Sequence, residues 1–296
     1  MPDPSANSKS SVPAPPSKPR TVCPPFSPQA LERQMAFDQG ARWLLVAGLA
    51  LLLMPLFAAT LLGIDVDAGG GVSPLALIVL AIWFALSVGQ GAVNRRLARV
   101  TQLMDVDPAE AESELALALK KKALPRTLRM LLHHRLALLR HRQGRFAEVA
   151  AICHALLARH LGAAEAVRTH LLLMLIESRL NSHDAGGAYQ AMLALHQQPR
   201  TLMETLQLTA MQTRYEVMLG YDEAALTDVE KKIRLAELMP APQCGLMHAM
   251  LAAAAQRTRR ATLAQWLRRR TLLLCTPQQV EAMGQLWQPN DGDAQA

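Results

Sequence analysis

The residues of this chain best suited to chemistry are its arginines and histidines, and they crowd one stretch. Between residues 126 and 145 stand Arg126, Arg129, Arg135, Arg140, Arg142 and Arg145, with His133, His134 and His141 interleaved. A guanidinium cluster of this kind attracts an anionic membrane surface or an acidic partner tail, and each cation close to such a surface contributes about 1 kcal/mol. These six arginines are the candidate site for a partner or an anionic surface; the alternative is a solvated helix face balanced by acids elsewhere. A second basic group, Arg257, Arg259, Arg260, Arg268, Arg269 and Arg270, lies near the C-terminus. The histidines lack metal-ligand spacing. His141 follows His133 and His134 by two helical turns, where a single metal needs one, and neither H-E-x-x-H nor a zinc-type Cys/His spacing occurs. The nucleophile elbow G-x-S-x-G and the phosphate-cradling glycine motifs are missing too. No catalytic residue, metal or cofactor is therefore expected, and the chain does not read as an enzyme. Nucleic acid is not an expected partner, for want of a recognised motif or stacking aromatics.

The elements that position these residues are helices. Hydrophobic residues make up 51% of the 296 and aromatics only 4%. That Ala/Leu-rich mixture suits helix-on-helix packing better than sheets, which favour aromatic and β-branched side chains. The formal net charge of +7 permits lipid headgroups or acidic proteins as partners without choosing between them. Cys23, Cys153, Cys244 and Cys275 form no C-x-x-C pair, which fits a reducing compartment rather than a disulfide framework. Residues 1–40 are polar and Pro/Ser-rich and read as a disordered cytoplasmic tail, with a short helix from about Ser27 to Gln39 leading onward.

Two uncharged runs follow, 43–64 and 72–93, each of 22 residues. As helices they span roughly 33 Å, against about 30 Å of bilayer hydrocarbon. The connecting Asp65–Gly71 segment is too short to recross a bilayer, so residues 41–94 read as a transmembrane hairpin. Lys18, Arg20, Arg33 and Arg42 precede the hairpin and Arg95, Arg96 and Arg99 follow it, while the loop has no cation. By the positive-inside rule both termini are then cytoplasmic. The spans hold no ionisable residue, which argues for anchoring rather than transport. Gly48, Ala50, Gly89 and Gly91 would permit close helix approach, so self-association as a homo-oligomer stays open.

Residues 95–124 read as a juxtamembrane helical linker, with Asp107-Pro108-Ala109-Glu110 opening a helix that ends at Lys120–Lys122. From 125 to 287 the periodicity predicts helix pairs: 127–142 with 146–160, 164–180 with 185–196, 202–219 with 223–238, and 246–256 with 261–274, then a last helix from Thr276 through Leu286. Residues 288–296 read as a disordered tail. The pairs recur at the period of helical solenoids. The turns Gly144-Arg145-Phe146-Ala147-Glu148-Val149 and Gly220-Tyr221-Asp222-Glu223-Ala224 each offer a glycine, an aromatic and a small residue. In these positions the sequence resembles the tetratricopeptide repeat family. The turn at Ser182–Ala188 keeps only the small residue, and the first helices lack the family's usual Trp, Leu-Gly and Tyr.

The fold class expected is thus all-α: a two-helix transmembrane hairpin followed by a tetratricopeptide-like α-solenoid. The resemblance implies a groove that binds a protein partner and performs no chemistry. The layout is also similar to that of bacterial inner-membrane proteins linked to haem biosynthesis, a likeness of layout from which no role is taken. The expected function is a membrane-anchored cytoplasmic scaffold or adaptor at the cell inner membrane, touching the lipid bilayer and a protein partner. The alternative is a membrane-associated enzyme accessory or catalytic subunit.

Overall fold

The computed structural model of the protein describes residues 23–61, 74–122 and 124–283. Among the described residues the regular elements are all helical, thirteen α-helices and one 3-10 turn, with no strand. The chain divides into two compact units, Met1–Pro25 with Arg42–Leu124, and Phe26–Ala41 with Pro125–Ala296.

In the first unit α1 (Pro28–Leu61) contributes its later half, followed by α2 (Pro74–Leu103) and α3 (Pro108–Leu119). The start of α3 forms as its sequence dictates: Asp107 Oδ1 accepts the N–H groups of Ala109 and Glu110, both at 3.0 Å. Pro108 occupies the first turn, where its missing N–H costs nothing. The expected linker does not begin at residue 95, because α2 runs on unbroken to Leu103 and packs on α3. Val93 and Val100 on α2 and Met104 just after it are buried, as are Ala111, Leu115 and Ala118 on α3. Arg99 pairs with Glu110 at 2.8 Å at the rim of that contact. Cys23 is buried here, its N–H donating to Glu112 Oε1 at 3.0 Å.

Large apolar side chains on α1 and α2 face outward: Trp43 is 66% exposed, Leu51 76%, Met54 71% and Phe84 64%. Among the described residues, no helix is long and apolar enough to cross a membrane. The expected spans 43–64 and 72–93 fall partly outside the described residues, and the 65–71 loop and the 288–296 tail fall wholly outside them.

The second unit holds α4 (Arg126–Arg142), α5 (Phe146–Leu157), a 3-10 turn (Gly162–Val167), α6 (Arg168–Asn181), α7 (Ala185–His196), α8 (Leu202–Met218), α9 (Asp222–Ala225), α10 (Val229–Ala236), α11 (Ala241–Arg257), α12 (Ala261–Leu274) and α13 (Pro277–Met283). One turn geometry recurs four times. A left-handed residue ends each first helix: Gly144 (φ 70°), His183 (56°), Gly220 (74°) and Arg259 (61°), at intervals of 39, 37 and 39 residues. The next N–H then reaches back five residues, from Arg145 to the Arg140 carbonyl, Asp184 to Arg179, Tyr221 to Glu216 and Arg260 to Ala255, at 2.8–2.9 Å. This is the bonding of a Schellman cap, and it satisfies carbonyls that the helix end leaves open.

Glycine takes the left-handed conformation freely, whereas an L side chain there costs about 1–2 kcal/mol. His183→Gly and Arg259→Gly are therefore expected to stabilise the protein by about 0.5–1 kcal/mol each, after glycine's extra unfolded-state entropy is subtracted. Urea midpoints measured at constant slope check this. Unchanged midpoints would show that the histidine and arginine bear no strain in these turns.

Residues 28–41 are helical, where a short helix from about Ser27 to Gln39 is expected, and Leu31, Met35 and Asp38 fall on one buried stripe one turn apart. Other boundaries depart from the sequence expectation. The helix expected over 223–238 breaks into α9 and α10 at Asp228, which is left-handed at φ 53°. The helix expected over 246–256 begins earlier, at Ala241, with Pro242 in the first turn of α11. That helix is the centre of a core it forms with α8–α10 and α12. Met247, Met250, Leu251 and Ala252–Ala255 are buried on it, with Ala264 and Leu267 of α12 against them. Gly245 permits the approach, since a Cβ there would collide with the Cys275 sulfur.

Candidate functional site

The six arginines of the 126–145 stretch do not share a surface. Arg129 and Arg140 are 2% and 1% exposed and turn inward. Arg129 donates through Nε and Nη2 to Asp38 Oδ2, at 2.8 and 2.7 Å. Arg140 lies 3.2 Å from Glu148 and donates to Gln143 Oε1 at 2.7 Å. Both are structural groups, because α4 is an interior helix whose buried stripe reaches residues 129, 133 and 140. Arg126, Arg142 and Arg145 are exposed and Arg135 is half-buried. Arg126 donates to the His160 carbonyl at 2.8 Å, and Arg145 pairs with Glu148 at 2.8 Å. Three of the C-terminal arginines are also paired with carboxylates. Arg257 clasps Asp222 at 2.6 and 2.8 Å, Arg260 pairs with Glu223, and Arg270 pairs with Glu237 while lying over the Trp266 ring.

A different constellation emerges where the first helices of successive pairs meet. A cavity of about 210 Å³ opens between α6, α8 and α11. Each helix contributes a stripe two turns long: His170, Leu173, Met174 and Glu177 from α6; Gln207, Ala210, Met211 and Arg214 from α8; Gln243, Leu246 and Met250 from α11. The α6 and α8 stripes lie at the same places relative to their turns at His183 and Gly220, and on α11 Leu246 and Met250 repeat two of those places relative to Arg259, with Gln243 about one turn earlier. Polar groups stand at the ends of the α6 and α8 stripes and apolar ones between them. Met239 closes one side.

The charged groups of the cavity wall are held from behind. His141 of α4 approaches Glu177 Oε2 with its Nε2 at 3.1 Å. Burial works to raise the Glu177 carboxyl, but the His141 hydrogen bond and charge, with Arg214 and His170, outweigh it and leave it below the usual carboxylate value. The same hydrogen bond raises His141. His134 Nε2 and His170 Nδ1 are 2.8 Å apart, so one ring donates to the other. Burial chiefly, and then the neighbouring ring and Arg135, push His134 down to about 4. His170 is lowered as well, first by burial. Both rings are thus neutral near pH 7, as a shared proton between them requires. Arg214 Nη2 donates to Asn181 Oδ1 at 2.8 Å. Burial lowers its proton affinity and Glu177 opposes the shift, so the guanidinium stays charged.

Among the described residues no group of three His, Cys, Asp or Glu side chains could hold a metal ion. The cavity lining contains no hydroxyl or thiol, and its one ring is the His170 imidazole. The wall can therefore bind: it offers one cation, one carboxylate, two amides and a bed of thioethers. No known family, curated protein or solved structure matches this chain. The sequence reading missed His170, Glu177 and Arg214. Each sits at the end of an i, i+3, i+7 stripe, which was the available signal.

Proposed function

We propose that the chain is a membrane-tethered scaffold whose helical unit, a tetratricopeptide-like solenoid, binds a segment of a protein partner along the α6–α8–α11 cavity. The observation that carries this reading is the repeat of the α6 stripe at the same four places on α8, with two of those places repeated on α11 by Leu246 and Met250. Such a repeat presents matched positions to an extended or helical segment lying across them. Methionines suit that task, because their unbranched side chains adapt to the segment they meet. The anchoring half of the proposal rests on the uncharged runs 43–64 and 72–93 and on the outward Trp43, Leu51, Met54 and Phe84. The cationic flanks and cation-free loop support a cytoplasmic placement of both ends. Tethering would raise the partner's effective concentration beside other inner-membrane components.

The enzyme alternative draws on His170 and Glu177 in the cavity. It is the weaker reading because His134 and His141 already hold those groups, and no hydroxyl or thiol lines the wall.

Affinity capture from gently solubilised membranes tests the scaffold. The full chain, an Ala210→Trp variant that fills the cavity, and an Arg135→Glu/Arg142→Glu variant are compared. A defined protein recovered with the parent and the arginine variant, and lost with Ala210→Trp, is the expected result. Loss with the arginine variant alone would move the binding face to α4. Release of the chain from membranes by alkaline carbonate would remove the tether from the proposal.

A further inference from the structure

Arg214 is the unusual group of the cavity. It is charged and largely withdrawn from water, and it donates to a neutral amide, Asn181, at 2.8 Å. Glu177 is near enough to act on it electrostatically but is committed to His141 at 3.1 Å, and among the described residues no carboxylate lies within 4 Å of Arg214. A guanidinium presents five N–H groups in a planar fork, and a carboxylate meets two of them in parallel. One fork of this kind, facing a cavity, is half of a bidentate pair.

We propose that the cavity between α6, α8 and α11 binds a small aliphatic monocarboxylate, with Arg214 taking the carboxylate and the methionine bed taking the chain. Three features set the ligand's chemistry. A single uncommitted cation beside Glu177 suits one negative charge; a second charge, as on a phosphate monoester or dicarboxylate, would face the Glu177 carboxylate unbalanced. Leu173, Met174, Met211, Met239, Leu246 and Met250 supply an apolar bed without an aromatic ring, which fits a flexible chain better than a flat one. The volume sets the length. An apolar cavity of about 150 Å³ takes the six carbons of benzene. The roughly 210 Å³ here then takes about eight to ten heavy atoms, the size of octanoate. Gln207 and Gln243 add amide donors at the rim. This inference goes beyond the scaffold reading and does not depend on it, since a small ligand needs no protein partner.

The test is calorimetric titration of the full chain in lipid nanodiscs with sodium octanoate and, separately, 1-octanol, each corrected with empty discs. Octanoate is expected to bind saturably at one site, with octanol about tenfold weaker or more, because octanol lacks the charge that the fork recognises. Arg214→Gln should weaken octanoate by about tenfold or more and leave octanol unchanged; Arg214→Lys should fall between. Ala210→Trp should abolish both. Equal binding of octanoate and octanol by the parent overturns the proposal, as does absence of saturable binding or full retention in Arg214→Gln. Should Arg214→Gln not fold, the octanoate–octanol comparison in the parent and in Ala210→Trp decides the matter.

Discussion

Replacing Asp38 by alanine is expected to destabilise the helical unit by about 3–5 kcal/mol, the cost of leaving a buried charge without its counterion. Both partners are almost completely withdrawn from water, and two N–H groups of Arg129 converge on Asp38 Oδ2 at 2.7 and 2.8 Å. Arg129 also offers its carbonyl to His133 Nδ1 at 2.8 Å, so the pair fixes the middle of α4 as well as the early part of α1. The segment from Phe26 through that part of α1 is held at three further points. The Phe26 N–H donates to Glu148 Oε1 at 2.7 Å, the Phe26 ring meets His133 edge-on, and Arg159 reaches Glu32 and Met35. Asp38→Asn should cost less than Asp38→Ala, because an amide can still accept from the guanidinium. The double variant Asp38→Leu/Arg129→Met should recover most of the loss, since well-packed apolar groups often replace a buried ion pair without penalty. Urea unfolding followed by helical circular dichroism measures all three. A loss below about 1 kcal/mol for Asp38→Ala would show that Arg129 finds other compensation.

This pair also shows where the sequence ceased to be readable. Most of the 1–40 segment reads as a tail because proline and serine dominate its average composition, and the short helix expected from about Ser27 to Gln39 carries no sign of what it packs against. Leu31, Met35 and Asp38 make a buried stripe that spans only residues 31–38, and its aspartate looks like a solvated one until Arg129 is seen opposite. Arg129 was misread for the complementary reason. In a basic run every arginine looks like part of the same charged face, yet a helix turns 100° per residue and sends Arg129 and Arg140 to its buried side. Neither error is one of secondary structure. The start of α3 at Asp107–Pro108 and the bounds of α7 and α12 were legible, because caps, glycines and apolar spacing are local signals.

The repeat was half legible. Gly144 and Gly220 announce their turns in the sequence, whereas His183 and Arg259 adopt the same left-handed conformation without announcing it. Their turns are recognised by backbone bonding, which residue type does not encode. The cavity was the least legible part. His170, Glu177 and Arg214 lie on two helices, and what makes them a site is a third helix, α11, whose own stripe is almost featureless. Packing between pairs brings those groups together, and packing is a long-range property of the chain.

Packing also sets how the protein should answer to acid. His133 and His134 are neighbours on α4, and burial above all pushes each down to about 4, against about 6.5 when exposed. For His133 the bond to the Arg129 carbonyl opposes the shift, while the charges of Arg129 and Arg159 reinforce it. In the unfolded chain both rings take up protons near pH 6.5, but in the folded protein they do so only near pH 4. As pH falls through that window the unfolded state binds more protons, so stability drops. At about 1.4 kcal/mol per unit, each ring accounts for at most about 3 kcal/mol. His170, also lowered, adds in the same sense. His141 opposes them, because its raised value gives stability that is present below pH 6.5 and lost as pH rises through its folded value. Glu177, being lowered, contributes only further down, where carboxylates titrate. The urea midpoint should therefore fall between pH 6.5 and 4.5, before any carboxylate effect. His133→Asn and His134→Gln, which keep hydrogen-bonding groups without titrating, should flatten that slope by roughly half between them. A slope unchanged in both variants would assign the acid sensitivity to groups other than the α4 histidines.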